Sequence, residues 1–315
     1  EQEEAVAKLR QDGLNAYLAA VESGKASLAS DPDRADFHKG VVAEALWKST
    51  DIYFQDGQTE KGIAQYDAFF PDYSGTYYEP QISVFALPYL EEAGRGEEAL
   101  AQVEKMILFL GSKAPEEQDL TLLRQAIGSY SEASVRIRGV EKTVATLMNF
   151  PGLDPANQAL LTWLKIQQVI VLQESRKGMD KESTEYAAVE SQIAKVFEDL
   201  QLFEKRNLSE FALQQIGLYF AGTENPFRGV PYFEELLARD NPEAQPFKGP
   251  AEMELGIIEM RAADPAKVQS ARERFRRIIS DESDDSRPLK PQAYLNLARL
   301  HMQSKEWKDA LAALD

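Results

Sequence analysis

The sequence predicts an all-α chain of about fifteen helices, mostly set in antiparallel pairs with short connections. Three observations predict it. Amphipathic stretches with apolar residues at three- and four-residue steps fill nearly the whole length. Strand-like alternation is scarce. Pro and Gly breakers recur at short, fairly regular intervals, and no long low-complexity linker divides the chain. The composition permits a packed core: of 315 residues 43% are hydrophobic and 28% charged, a foldable balance and not a disordered one.

The elements follow in order from their punctuation. Residues 1–35 read as a divergent N-terminal capping helix that ends at Ser30-Asp31-Pro32. A helix then runs to Asp56-Gly57, and its partner to Pro71-Asp72-Tyr73-Ser74-Gly75. The stretch from Tyr77 to Ala93 contains Pro88, which lacks a backbone donor and predicts a kink or a break there. Gly94-Arg95-Gly96 and Lys113-Ala114-Pro115 bound the next helix, and Pro151-Gly152 closes the pair after it. Asp154-Pro155 offers a cap and a first-turn proline, and Lys177-Gly178 marks the following turn. Ser209 before Glu210 starts an apolar run. The remaining turns fall at Glu224-Asn225-Pro226, Asn241-Pro242, Lys248-Gly249-Pro250, Asp264-Pro265 and Arg287-Pro288.

One spacing recurs through these pairs. It is clearest at the end: Tyr294, Leu297, Ala298 and His301 on one helix, then Ala310 and Leu314 on the next. Leu213, Ile216, Gly217, Phe220, Gly229, Phe233 and Leu236 repeat it without insertion. So do Leu46, Ser49, Thr50, Tyr53, Gly62, Tyr66 and Phe69, and again Ile127, Gly128, Ser131, Val140, Val144 and Leu147. Leu255, Gly256, Glu259, Ala271, Phe275 and Ile278 fit with a longer turn. Two units depart more: Ala86, Leu90, Ala99, Val103 and Met106, with Leu87 in the small slot, and Trp163, Ile166, Ile170, Val189, Ile193 and Val196, with about ten extra residues.

This pattern resembles the tetratricopeptide repeat, over about residues 36–315. The resemblance implies a right-handed superhelical solenoid of about seven units, and so a single helical-repeat domain over 1–315. The small residue admits the crossing helix, and the large ones fill the interface between neighbouring pairs, so each slot reads first as packing. The second-helix small positions lie 37, 41, 49, 40, 42 and 39 residues apart, longer than the family's period of about 34. That resembles the divergent, long-helix members. The helix begun at Trp307 stops after about two turns, which reads as a fragment of a longer chain.

Chemistry is sparse. Thirty-five Lys and Arg face 52 Asp and Glu, a formal net charge of −17. Such a field repels phosphate, so nucleic acid is not an expected partner. Zero Cys excludes disulfides, thiolate zinc sites and cysteine nucleophiles. Of the two histidines, His301 falls in a packing slot and His38 reads as an exposed face residue near a helix start. Gly94-Arg95-Gly96 lacks the third glycine and the preceding strand of a dinucleotide site. The Asp281–Ser286 run lacks the glycine and bidentate glutamate of a calcium loop. Asn207-Leu208-Ser209 reads as a helix cap rather than a glycosylation site. No catalytic residue, cofactor or metal is expected, and the chain reads as non-enzymatic. Arg272, Arg274, Arg276 and Arg277 form a basic cluster, read as a solvated face balanced by Glu273 and the Asp281–Asp285 run, with a docking patch for an acidic partner as the alternative.

In the family, the first helix of each pair lines a concave groove. Carried over position by position, the resemblance selects Trp47, Asp51 and Phe54, then Leu164, Gln168 and Val171, then Phe211, Gln214 and Leu218. Near the end it selects Met253, Ile257 and Met260, then Leu295, Arg299 and Met302. The Lys and Asn that clamp a terminal carboxylate in some members are replaced by Leu, Gln, Met and Ile. What remains is an apolar, Met-rich inner face suited to an amphipathic helix or an extended apolar peptide, unless the long helices close it into core. The expected function is a protein–protein interaction scaffold whose partner carries basic or apolar segments. The alternative is a structural arm or spacer of a cell-envelope assembly. No membrane insertion is expected, since no window approaches 18 apolar residues. The opening Glu1-Gln2-Glu3-Glu4 shows no signal peptide and no initiator Met. With the missing Cys, this favours a periplasmic or exported bacterial protein slightly over a cytoplasmic one.

Overall fold

The structure is a computed structural model that describes residues 2–113, 117, 119–154, 157–262 and 264–313. Among these residues it holds fifteen α-helices and no strand. The chain divides into two compact units, residues 1–177 and 178–315. The first holds α1 (Gln2–Ser30), α2 (Ala35–Gln55), α3 (Thr59–Tyr73), α4 (Glu79–Glu92), α5 (Gly96–Gly111), α6 (Leu120–Arg138), α7 (Val140–Met148) and α8 (Gln158–Ser175). The second holds α9 (Thr184–Leu200), α10 (Glu210–Ala221), α11 (Val230–Ala238), α12 (Gln245–Met260), α13 (Pro265–Ser280), α14 (Lys290–Gln303) and α15 (Trp307–Ala312).

Each unit stacks helix pairs. In the first, α2–α3, α4–α5 and α6–α7 pair, and α2, α4, α6 and α8 pack in succession. In the second, α10–α11, α12–α13 and α14–α15 pair, and α10, α12 and α14 pack in succession. The helix pair expected around Trp163 and Val196 spans the division, because α8 closes one unit and α9 opens the other.

The start signals work as side-chain caps. Ser209 Oγ accepts from the Ala212 amide at 3.2 Å, and Asp264 from Ala266 at 2.9 Å. α8 corrects the expectation at its start: Asn157, not Asp154, accepts from the Leu160 amide at 3.1 Å. Pro155 and Ala114-Pro115 lie outside the described residues. Gly94 makes the turn between α4 and α5 at φ +78°, a backbone open to glycine. Pro88 breaks nothing: α4 runs on through it, with the ring on the exposed side.

Most repeat slots are core. Leu46, Thr50, Phe69, Leu90, Val103, Ile127, Leu147, Ile216, Phe233, Leu255 and Phe275 are all buried. The small slots make sense by contact. A Cβ on Gly217 would meet the Phe233 ring at 2.7 Å, and one on Gly256 the Phe275 ring at 2.7 Å. The third pair differs. A Cβ on Gly128 would meet nothing within 4 Å. There the buried close approach is at Ser134 and Thr143, whose hydroxyls hydrogen-bond at 2.9 Å. Gly128→Ala is therefore expected to stabilise the protein by about 0.5–1 kcal/mol, the helix-interior cost of glycine. Urea unfolding followed by circular dichroism checks the sign, and a net destabilisation would show that the residue is closely packed after all. In the last pair Leu297, Ala298, His301 and Ala310 are buried, Tyr294 is exposed, and Leu314 lies outside the described residues.

Candidate protein-binding face

The expected inner-face residues fall into two groups. Leu164, Gln168 and Val171 are buried. α8 is covered on both sides, with Ile166, Val169 and Leu172 buried as well, because α6 and α7 both pack on it. Gln168 Oε1 has no hydrogen-bond partner among the described residues. Met253 is likewise core, packed with Phe275, Leu297 and Leu300. Phe54 is buried with its ring stacked on Tyr89 at 4.0 Å. Trp47 is half-buried against Tyr78, ring to ring at 5.9 Å, under the Lys48 ammonium at 3.7 Å. Asp51 is half-buried and accepts from Gln55.

The open group lies in the second unit. On α10, Phe211 and Gln214 are half-buried and Leu218 is 37% exposed. On α12, Ile257 and Met260 lie half-buried over the core. On α14, Leu295 is 38% and Met302 49% exposed, with Arg299 exposed between them. Sequence reasoning missed Trp307 and Leu311 on α15, which are 59% and 66% exposed.

The start of α10 is held by polar contacts. Arg239, at the end of α11, donates to Glu210 at 2.7 Å and to the Leu208 carbonyl at 2.7 Å. Asn241 donates to the same Glu210 oxygen at 3.0 Å. Burial raises the Glu210 carboxyl, but these hydrogen bonds outweigh it and hold the group below its ordinary value.

The basic cluster on α13 is balanced by partners other than those expected. Arg274 pairs with Glu252 at 2.6 Å and Glu259 at 3.0 Å on α12, and Arg277 with Glu252 at 3.1 Å. Arg272 reaches Glu306 at 3.0 Å and Ser304 Oγ at 2.6 Å. Glu273 instead accepts from Gln269, and Asp281 from Ser286 and Ser283. Arg276 is exposed with no ion pair among the described residues.

Arg272 and Arg276 line a cleft of about 550 Å³ with Tyr294, Leu297, His301, Glu306 and Asp309. His301 is buried, and its Nδ1 lies 2.6 Å from Glu306 Oε2. His38 is a correction: it is half-buried, not exposed, beside Asp31 at 3.7 Å, and its Nε2 lacks a hydrogen-bond partner among the described residues.

No protein-family profile and no curated protein matches the chain. Among solved structures it is similar to two monomeric mutants of IFIT1, one with m7Gppp-AAAA and one with Gppp-AAAA. Both matches have a TM-score of 0.34 and 12% identity, over 94% and 95% of this chain. The chain spans 66% of the length of those IFIT1 chains. It is also similar to BtubC from P. vanneervenii, with a TM-score of 0.27 and 14% identity over 97% of this chain and 88% of that one. No described helix is long and apolar enough to cross a membrane.

Proposed function

We propose that this protein is a non-enzymatic helical-repeat scaffold that docks another protein on the face made by α10, α12 and α14. The observation that carries the reading is the run of exposed and half-buried apolar side chains on successively packed helices: Leu218, then Ile257 and Met260, then Leu295 and Met302. Flexible Met and Leu side chains at helical spacing fit an apolar helix face or an extended apolar segment. The excess of acid over the whole chain favours a partner with basic flanks.

The test places a photo-cross-linker at Leu218 or Met302 and maps the cross-links. Leu218→Glu and Met302→Glu are each expected to cost the complex about 2 kcal/mol, roughly thirtyfold in affinity, as at a buried interface anchor. Both residues are exposed, so Tm should not move. Cross-links confined to α11 and α13, or specific binding of capped RNA with no protein captured, would overturn the reading.

A further inference from the structure

The middle helix of the docking face carries one charge that the protein leaves unanswered. α12 bears three glutamates. Glu252 is held by Arg274 and Arg277, and Glu259 by Arg274. Glu254 is half-buried on the same helix, next to Met253 and one turn before Ile257, and has no hydrogen bond or ion pair among the described residues. Neither of its oxygens is sealed off from the surface. Burial pushes its carboxyl above the ordinary value of 4.5, and the Arg261 guanidinium two turns along α12 opposes this only in part.

We propose that Glu254 is the counter-charge for an arginine of the docked protein, so that the partner segment is apolar with an arginine among its contact residues. This rests on the docking face proposed above and names what that face selects.

A partly buried charge without a partner is a cost that a folded chain seldom carries alone. On a surface that receives another protein, the missing partner can come from outside. The other charges near this face differ in setting. Arg261 and Arg299 are exposed, where water and salt screen them. Glu254 is already partly stripped of water, so an opposite charge brought to it is screened less and gains more. Docking then has only the incoming cation to desolvate. Arginine suits this better than lysine. Its guanidinium is more weakly hydrated, and it meets a carboxylate through two parallel N–H···O bonds. An acidic segment would be turned away by the same carboxylate, which gives the face a means of discrimination that its leucines and methionines lack.

The test selects binders from a phage-displayed library of random peptides on the full 315-residue chain and keeps those that Leu218→Glu abolishes. These peptides are expected to share an arginine between apolar residues. Replacing that arginine by alanine should weaken binding about tenfold, Glu254→Gln should do the same, and the two losses should not add. The Tm of free Glu254→Gln should hold or rise, because a neutral amide replaces a partly desolvated charge. Peptides with no shared arginine, or binding unchanged in Glu254→Gln, would overturn the assignment and leave the docking face standing. A lower Tm in Glu254→Gln would also overturn it, since the carboxylate would then serve the fold. If no selected peptide responds to Leu218→Glu, the docking face itself fails and this inference with it.

Discussion

Arg239→Met is expected to destabilise the second unit by about 3–5 kcal/mol, the cost of breaking a buried ion pair from one side. Glu210 and Arg239 are both largely hidden from solvent, with side-chain exposures of 8% and 14%. The methionine keeps the packing of the stem but removes the donors to Glu210, to the Leu208 carbonyl and to the Lys205 carbonyl at 3.1 Å. A carboxylate and two carbonyls then lose charge-assisted hydrogen bonds in a place water does not readily reach. The double variant Arg239→Met with Glu210→Gln should recover part of the loss, because the stranded charge goes too. Urea unfolding of the wild type, single and double variants measures both quantities, and a single-variant cost under about 1 kcal/mol would mark the pair as surface-like. The same bond has a pH signature. The folded Glu210 lies below its ordinary value of 4.5, so its contribution is present above that value and is lost as pH falls through the folded one. In Arg239→Met this acid-side slope should shrink.

Gly229→Ala is expected to cost about 3 kcal/mol, the upper part of the usual range for overpacking. A Cβ there would meet the Gly217 carbonyl oxygen at 2.6 Å and the Ala221 amide nitrogen at 3.2 Å. Both are backbone atoms of α10, so no rotamer change relieves the clash, and the start of α11 must move as a whole. Gly217 itself faces the Phe233 ring, a side chain that is fully buried and wedged by its neighbours. Urea unfolding beside Gly128→Ala gives a direct contrast, since the repeat spacing assigns a small slot to Gly128 and Gly229 alike. A loss below about 1 kcal/mol at Gly229 would show that α11 can shift along α10 with little resistance.

The contrast between those glycines shows where sequence reasoning works and where it stops. Periodicity and breakers are local, so most helices and their order were legible, as was the cap at Ser209, whereas the turn expected at Lys248-Gly249-Pro250 lies inside α12. The slots at Gly217 and Gly256 were legible, and in each the glycine faces a buried phenylalanine of the partner helix. In α6 and α7 the close approach sits instead at Ser134 and Thr143, and Gly128 turns away; nothing local separates the two registers. The inner face was half legible. Leu164 and Leu295 occupy corresponding positions, yet one is core and one is open. The difference lies in which face of the helix its neighbours cover, which is not written in the helix itself. Arg272, His301 and Glu306 come together only when α13 meets the last pair, so a run of arginines in the sequence told only of charge.

The first compact unit ends at Lys177, between α8 and α9, whereas the sequence spacing expects those two helices as one pair. The spacing expected from the sequence and the packing unit are thus out of phase by one helix. A fragment trimmed at the pair boundary near Pro151 would strip α8 from α6 and α7 and bare Leu160, Leu164 and Val169 to water. A fragment ending at Lys177 keeps those side chains covered. For expression, domain swapping or fusion to other repeats, the usable module is the packed block and not the helical hairpin.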